Sequence, residues 1–186
     1  MIKLHGTLKE RVEEAVRLVC TEVTQEEVDS FCTLYEKAGI KLFPASIEFF
    51  KKYGGAYRNS YIMLSNPKYN KEISLNCFDN ITDYYYSYAC SPEESEKEAL
   101  RRIDFAMDWI KEMRKFAGQD VHPIASIGYY YPADVYIGED GRLYCLYEFK
   151  DEFEVHDTPA EILEPYLKNN IPIGIDKMPI KTNKYM

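Results

Sequence analysis

Apolar residues recur at helical spacing at Leu8, Val12, Ala15, Val16 and Val19, with charges between them, and predict an amphipathic helix. Thr24 and Glu27 have the spacing of a capping box, in which each side chain satisfies the other residue's backbone N–H. Val28, Phe31, Cys32 and Tyr35 then line one face of a second helix. Gly39 should stop it, because glycine adopts the left-handed conformation that closes a helix end. A third helix opens at Pro44 and buries Ile47, Phe50 and Tyr53. It ends in FFKKYGG, residues 49–55, with Lys51 and Lys52 opposing the negative helix end. Gly54 is expected as a left-handed cap, and Gly55 as the point where the chain reverses into a strand at YRNSYIMLS. Glycines that cradle phosphate precede a helix, whereas these follow one, and no Walker or GxGxxG pattern is present.

Further along, EISLNCF (72–78) alternates with Ile73, Leu75 and Cys77 inward and predicts one strand. DYYYSYAC has no clear period. Ser91-Pro92-Glu93-Glu94 is a strong helix start. That helix should run to about Phe116 on a stripe of Leu100, Ile103, Met107 and Ile110, widened by Trp109 and Met113, and end at Gly118. IGEDGRLYCLY predicts a hairpin with Asp140-Gly141 as a type I′ pair. Its register would set Glu139 opposite Arg142, Ile137 opposite Tyr144 and Val135 opposite Leu146. EFEVH reads as another short strand. Thr158-Pro159-Ala160-Glu161 starts a last helix to about Leu167, carrying Ile162, Leu163 and Tyr166. The tail IPIGIDKMPIKTNKYM is expected to run extended along the body or to fray.

Charge changes the picture. The chain of 186 residues, enough for one domain with a real core, carries 23 basic and 31 acidic residues, a net charge of −8. Such a balance disfavours nucleic acid and anionic membranes and favours basic partners, or simply solubility. Five cysteines stand without CxxC spacing, an odd number that excludes a complete internal disulfide framework. Free thiols in a reducing cytosol are expected, and the N-terminal stretch lacks an apolar run of signal-peptide or membrane-span length. Three histidines, His5, His122 and His156, lie far apart, so no zinc pattern and no cofactor is expected. A distant nucleophile pair such as Cys145 and His122 stands against the plainer reading of a buried strand cysteine. The acidic cluster Glu93, Glu94, Glu96 and Glu98 reads as a lure for a basic partner or as a solvated helix start. Tyrosine is abundant, at 17 residues, with runs at Tyr84-Tyr85-Tyr86 and Tyr129-Tyr130-Tyr131. Side chains alternate along a strand, so each run should divide between inside and outside unless both faces are covered.

The order FPASIEFFKKYGGAY, a strand after the glycines, PIASIG and then DVYIGEDGRLYCL resembles the SUKH-3 group of the SMI1/KNR4-like superfamily over roughly residues 26–165. Phe43-Pro44, Phe49-Phe50, Tyr53-Gly54-Gly55, Pro123-Ile124, Gly128 and Asp140-Gly141-Arg142 with Tyr144 carry the resemblance. Ala56 and the long stretch Tyr84–Lys115 depart from the family's pattern. The resemblance implies an α+β single domain over 1–186, mainly an antiparallel or mixed sheet flanked by helices. Its core would span roughly 24–170, with the N-terminal helix and C-terminal tail peripheral. It also implies an immunity protein that binds and neutralises a cognate bacterial toxin, often a nuclease, with no catalytic residues. The expected partner is a basic protein toxin, not nucleic acid or membrane. Candidate contacts are Tyr84, Tyr85, Tyr86, Tyr129, Tyr130, Tyr131, Asp134, Glu139 and Asp140. The alternatives are a regulatory scaffold, and a hydrolase whose site joins His122, Cys145 and a carboxylate.

Overall fold

The computed structural model describes residues 2–20, 23–54, 60–66, 68, 71–75, 78–80, 92–128, 132–147, 152–167 and 170–177. The chain begins with β1 (Ile2–Lys3), then α1 (Leu8–Val19), α2 (Gln25–Lys37) and α3 (Pro44–Tyr53). Strands β2 (Ser60–Asn66), β3 (Lys71–Leu75) and β4 (Phe78–Asn80) lead to α4 (Pro92–Met107) and α5 (Ile110–Ala117). A run of β5 (Val121–Ile127), β6 (Ala133–Gly138), β7 (Leu143–Tyr147) and β8 (Glu152–His156) follows. The described chain closes with α6 (Pro159–Leu163), a 3₁₀ turn (Glu164–Leu167) and β9 (Ile171–Lys177).

Local chemistry accounts for the first helices. Thr24 and Glu27 form the expected capping box, with the Thr24 N–H donating to Glu27 Oε2 at 2.7 Å. Thr7 and Glu10 form a second box at the start of α1. Gly39, at φ 75°, closes α2, with Ile40 N–H donating to the Tyr35 carbonyl and Gly39 N–H to that of Glu36. Phe31 of α2 stacks on Phe50 of α3 at 4.0 Å, locking the two helices together.

Two antiparallel sheets carry the helices, which makes this an α+β protein. One runs β1-β9-β2-β3 and the other is a meander, β4-β5-β6-β7-β8. Residues 72–78, expected as one strand, therefore divide: β3 belongs to the first sheet and β4 to the second. Cys77 lies outside the described residues.

The first part of the tail expected to run extended along the body or to fray, Ile171–Lys177, is extended and lies inside the first sheet. β9 sits between β1 and β2, and Ile175 is buried. Its Pro172 is tolerated at a bulge, because Met63 faces Gly174 while Leu64 faces Pro172, leaving Ile173 as the extra residue. β5 repeats the device. Pro123 faces Tyr136 and Ala125 faces Val135, leaving Ile124 unpaired in the ladder. A helix side chain takes each proline carbonyl: Arg11 Nη1 donates to Pro172 at 3.2 Å, and the Tyr35 hydroxyl donates to Pro123. The N-terminal helix is equally integral, with Val12, Ala15, Val16 and Val19 in the main core.

The long helix expected to reach Phe116 breaks at Asp108-Trp109. Asp108 N–H donates to the Phe105 carbonyl, the tighter 3₁₀ spacing, and Trp109 is the N-cap of α5 with φ −93° and ψ 1°. The break divides one apolar stripe between two cores. Ala99 and Ile103 join the main core, whereas Ile110 and Met113 form a second one with Val121, Tyr136, Tyr144 and Leu146. Trp109 does not widen the buried stripe; its side chain faces solvent. Gly118 ends α5 in the left-handed conformation as expected.

Both faces of the meander's centre are consequently covered, and all five residues of β7 are buried. The hairpin before β7 differs from the sequence reading by one residue. Ile137 faces Leu143, Tyr136 faces Tyr144 and Val135 faces Cys145. Glu139, Asp140 and Gly141 form the loop, closed by Gly138 N–H to the Arg142 carbonyl and Gly141 N–H to the Gly138 carbonyl, both at 3.0 Å. With Gly141 at φ 79°, this is the three-residue turn ending in a left-handed glycine. The ion pair at the tip is Arg142 with Asp140 at 2.7 Å, in place of the expected pair with Glu139.

Gly54 corrects the reading of the glycine pair. It caps α3 with right-handed φ −64°, so no left-handed turn occurs there. It is glycine because the chain is crowded: a Cβ would stand 2.5 Å from the Phe50 carbonyl oxygen and 2.6 Å from the Phe50 ring. Gly55 lies outside the described residues.

Candidate functional site

A cleft of about 350 Å³ opens between α4 and strands β5 and β6. Arg101, Arg102, Phe105 and Ala106 form its helical wall, and Ser126, Asp134 and Tyr136 lie across from them on the strands. The strand register builds that floor. Asp134 faces Ser126 across β5–β6, and the Ser126 hydroxyl donates to Asp134 Oδ1 at 3.1 Å. Tyr136 lies two residues on and so shares the face. Its hydroxyl donates to the Ala106 carbonyl at 2.9 Å, fastening β6 to α4 just before the helix break. Arg101 is held by Glu98 through two contacts, at 2.6 and 2.8 Å. The wall thus carries two arginines, Arg101 paired with Glu98, and it ends in an aromatic ring, Phe105, that is 60% exposed.

Of the candidate contacts, Asp134 is in this cleft. Glu139 and Asp140 lie in the loop beyond the opposite end of β6, roughly 15 Å away at about 3.3 Å per strand residue. The three carboxylates therefore do not form one patch. Asp140 is engaged locally. Burial opposes its ionisation, but hydrogen bonds from the Arg142 side chain and N–H, Gln119 and Tyr144 outweigh this and hold its pKa at about 2. Tyr84, Tyr85, Tyr86, Tyr129, Tyr130 and Tyr131 lie outside the described residues. In the acidic cluster, Glu96 pairs with Lys37 at 2.7 Å and Glu98 with Arg101.

The alternative catalytic pair is not assembled. His122 is 3% exposed, accepts or donates at Nδ1 with Ser46 Oγ at 3.0 Å, and stacks on Phe43 at 3.8 Å. Burial lowers its pKa to about 4, against the opposing pull of the Asp120 carboxylate and with a smaller push from the Arg114 guanidinium. It is a neutral tie between α3 and β5. The Cys145 thiol is fully buried on the main-core side of β7, and that burial raises its pKa. Neither residue lines the cleft. Among the described residues, no three His, Cys, Asp or Glu side chains converge so as to hold a metal ion, and no helix is long and apolar enough to cross a membrane.

Sequence reasoning missed the arginine wall and the exposed aromatics beside it. Phe105, Trp109 at 38% exposure and Phe116 at 43% leave large apolar surface on an otherwise charged helix pair. A broken stripe was the available signal: Phe105, Trp109 and Phe116 fall off the Leu100–Ile103–Met107–Ile110 line. Phe116 is steadied by stacking on Phe153 at 5.2 Å and by edge contact with Tyr144 at 6.2 Å.

Fold and surface together define an α+β protein of two antiparallel sheets in which His122 and Cys145 are buried and the rings of Phe105, Trp109 and Phe116 are exposed. No family model, no curated protein and no solved structure matches the chain.

Proposed function

We propose that this protein is an immunity protein, a non-catalytic binder that neutralises a cognate basic toxin of nuclease type in the cytoplasm by covering its active surface. The observation that carries the binding role is the exposed aromatic set Phe105, Trp109 and Phe116 on α4 and α5. Interfaces enrich such side chains because they bury much area at modest entropic cost. The burial of His122 and Cys145 favours binding over hydrolysis. The net charge of −8 would speed encounter with a basic partner. The toxin as partner comes from the SUKH-3 resemblance in the sequence.

Co-expression with the toxin encoded at the neighbouring locus tests this reading, and growth rescue is expected. A Phe105→Ala/Trp109→Ala double variant with unchanged circular dichroism should bind at least about tenfold more weakly, as loss of one or two interface anchors does. Unchanged affinity in that variant removes the aromatic set as the contact. Absence of rescue by the wild-type chain removes the immunity role.

A further inference from the structure

The meander ends on β8, whose outer edge pairs with no strand among the described residues. Such an edge offers backbone N–H and C=O groups to an added strand. The two faces of β8 differ in chemistry. Phe153 faces Leu146 and Val155 faces Tyr144, which places both on the side of the second core. There Phe116 stacks on Phe153, and Val155 remains 42% exposed. Glu152, Glu154 and His156 alternate to the other face, where Glu154 Oε2 meets His156 Nε2 at 3.0 Å.

The strand and the residue after it are acidic. Residues 152–157 hold three carboxylates (Glu152, Glu154 and Asp157) and no lysine or arginine. That charge selects the occupant. A second copy of β8 laid antiparallel would set glutamates near glutamates, and like charges across a strand pair repel. A strand carrying lysine or arginine would be attracted instead.

We infer that the β8 edge is the docking site for an extended basic segment of the partner protein, one that alternates cationic and apolar residues. Its cations face Glu152 and Glu154, and its apolar residues extend the surface of Phe116, Phe153 and Val155. The inference rests on the binding role proposed above and supplies the mode of that binding.

The test uses the full chain and two synthetic hexapeptides, one alternating lysine with valine and the other glutamate with valine. The lysine peptide should slow amide hydrogen exchange within Glu152–His156, and raising salt should weaken it. A Glu152→Lys/Glu154→Lys variant should bind it at least tenfold more weakly. Glu152→Gln/Glu154→Gln, which removes charge without reversing it, gives an intermediate loss and serves should the first variant misfold. Equal binding of the two peptides, protection confined to β3 or β4, absence of binding, or dimerisation of the chain through β8 would each overturn the inference. Growth rescue serves as the independent readout. Rescue by the wild-type chain without peptide binding sinks the edge and leaves the immunity role, whereas peptide binding without rescue does the reverse.

Discussion

His122 shows how one buried side chain ties stability to pH. In the unfolded chain its imidazole titrates near 6.5, and in the folded protein burial lowers that to about 4. Between these values the unfolded state binds a proton that the folded state refuses. Stability is therefore full above about pH 6.5 and falls as the pH drops toward 4, by about 1.4 kcal/mol per unit in that window. Thermal melts from pH 7 to 4 should show this slope, and His122→Gln should flatten it; an unchanged slope would place the titration elsewhere. Asp140 acts at lower pH, since its depressed pKa gives stability present above about 3.8 and lost as pH falls through about 2. At the same scale, the sequence made Gly54 visible as a necessary glycine and hid the reason. Its neighbour in space is Phe50, one turn back, and the constraint is room for a Cβ, which a propensity for turns does not encode.

Among the elements, those governed by adjacent residues were legible. The Thr24 box, Pro44 at the start of α3, the Gly39 and Gly118 stops and the Asp140-Gly141 turn all depend on contacts within a few residues. The hairpin register was not, because a two-residue and a three-residue loop share the same Asp-Gly signal and differ by one step of pairing. Coverage of both faces by separate cores removes the polar-apolar alternation that would have exposed the slip. Gly141 has φ 79° and open space where a Cβ would stand, so Gly141→Ala isolates the backbone term. It should cost about 1 kcal/mol in urea unfolding, with Asn less harmful. A neutral alanine variant would contradict the left-handed turn. The broken α4–α5 helix was likewise illegible: its single apolar stripe looks continuous until two cores divide it.

At the scale of the molecule, the C-terminal strand decides whether the first sheet exists. β9 separates β1 from β2 and hydrogen-bonds to both. Ending the chain at Asn170 should abolish the cooperative thermal transition, because β2 loses its interior neighbour and the buried face around Ile62, Leu64 and Ile175 opens to water. A truncated chain that still melts cooperatively at a similar temperature would show that β9 is dispensable. The candidate site divides in the same way as the fold. Asp134 and Asp140 were visible as acidic residues beside strong turn signals, yet their separation along β6 and the arginine wall opposite Asp134 appear only when α4 is set beside the sheet.

By itself the sequence determined the Thr24 capping box, the start at Pro44, the stops at Gly39 and Gly118 and the acidic character, since each follows from residues close together or from a simple total. The tertiary structure alone decided the place of β9, the division of residues 72–80 between two sheets, the two cores and the position of β8 at the edge of the meander among the described residues. These depend on partners distant in the chain, such as Arg11 with Pro172 and Tyr35 with Pro123. Local periodicity records which side of an element is apolar, but packing selects the neighbour that covers it.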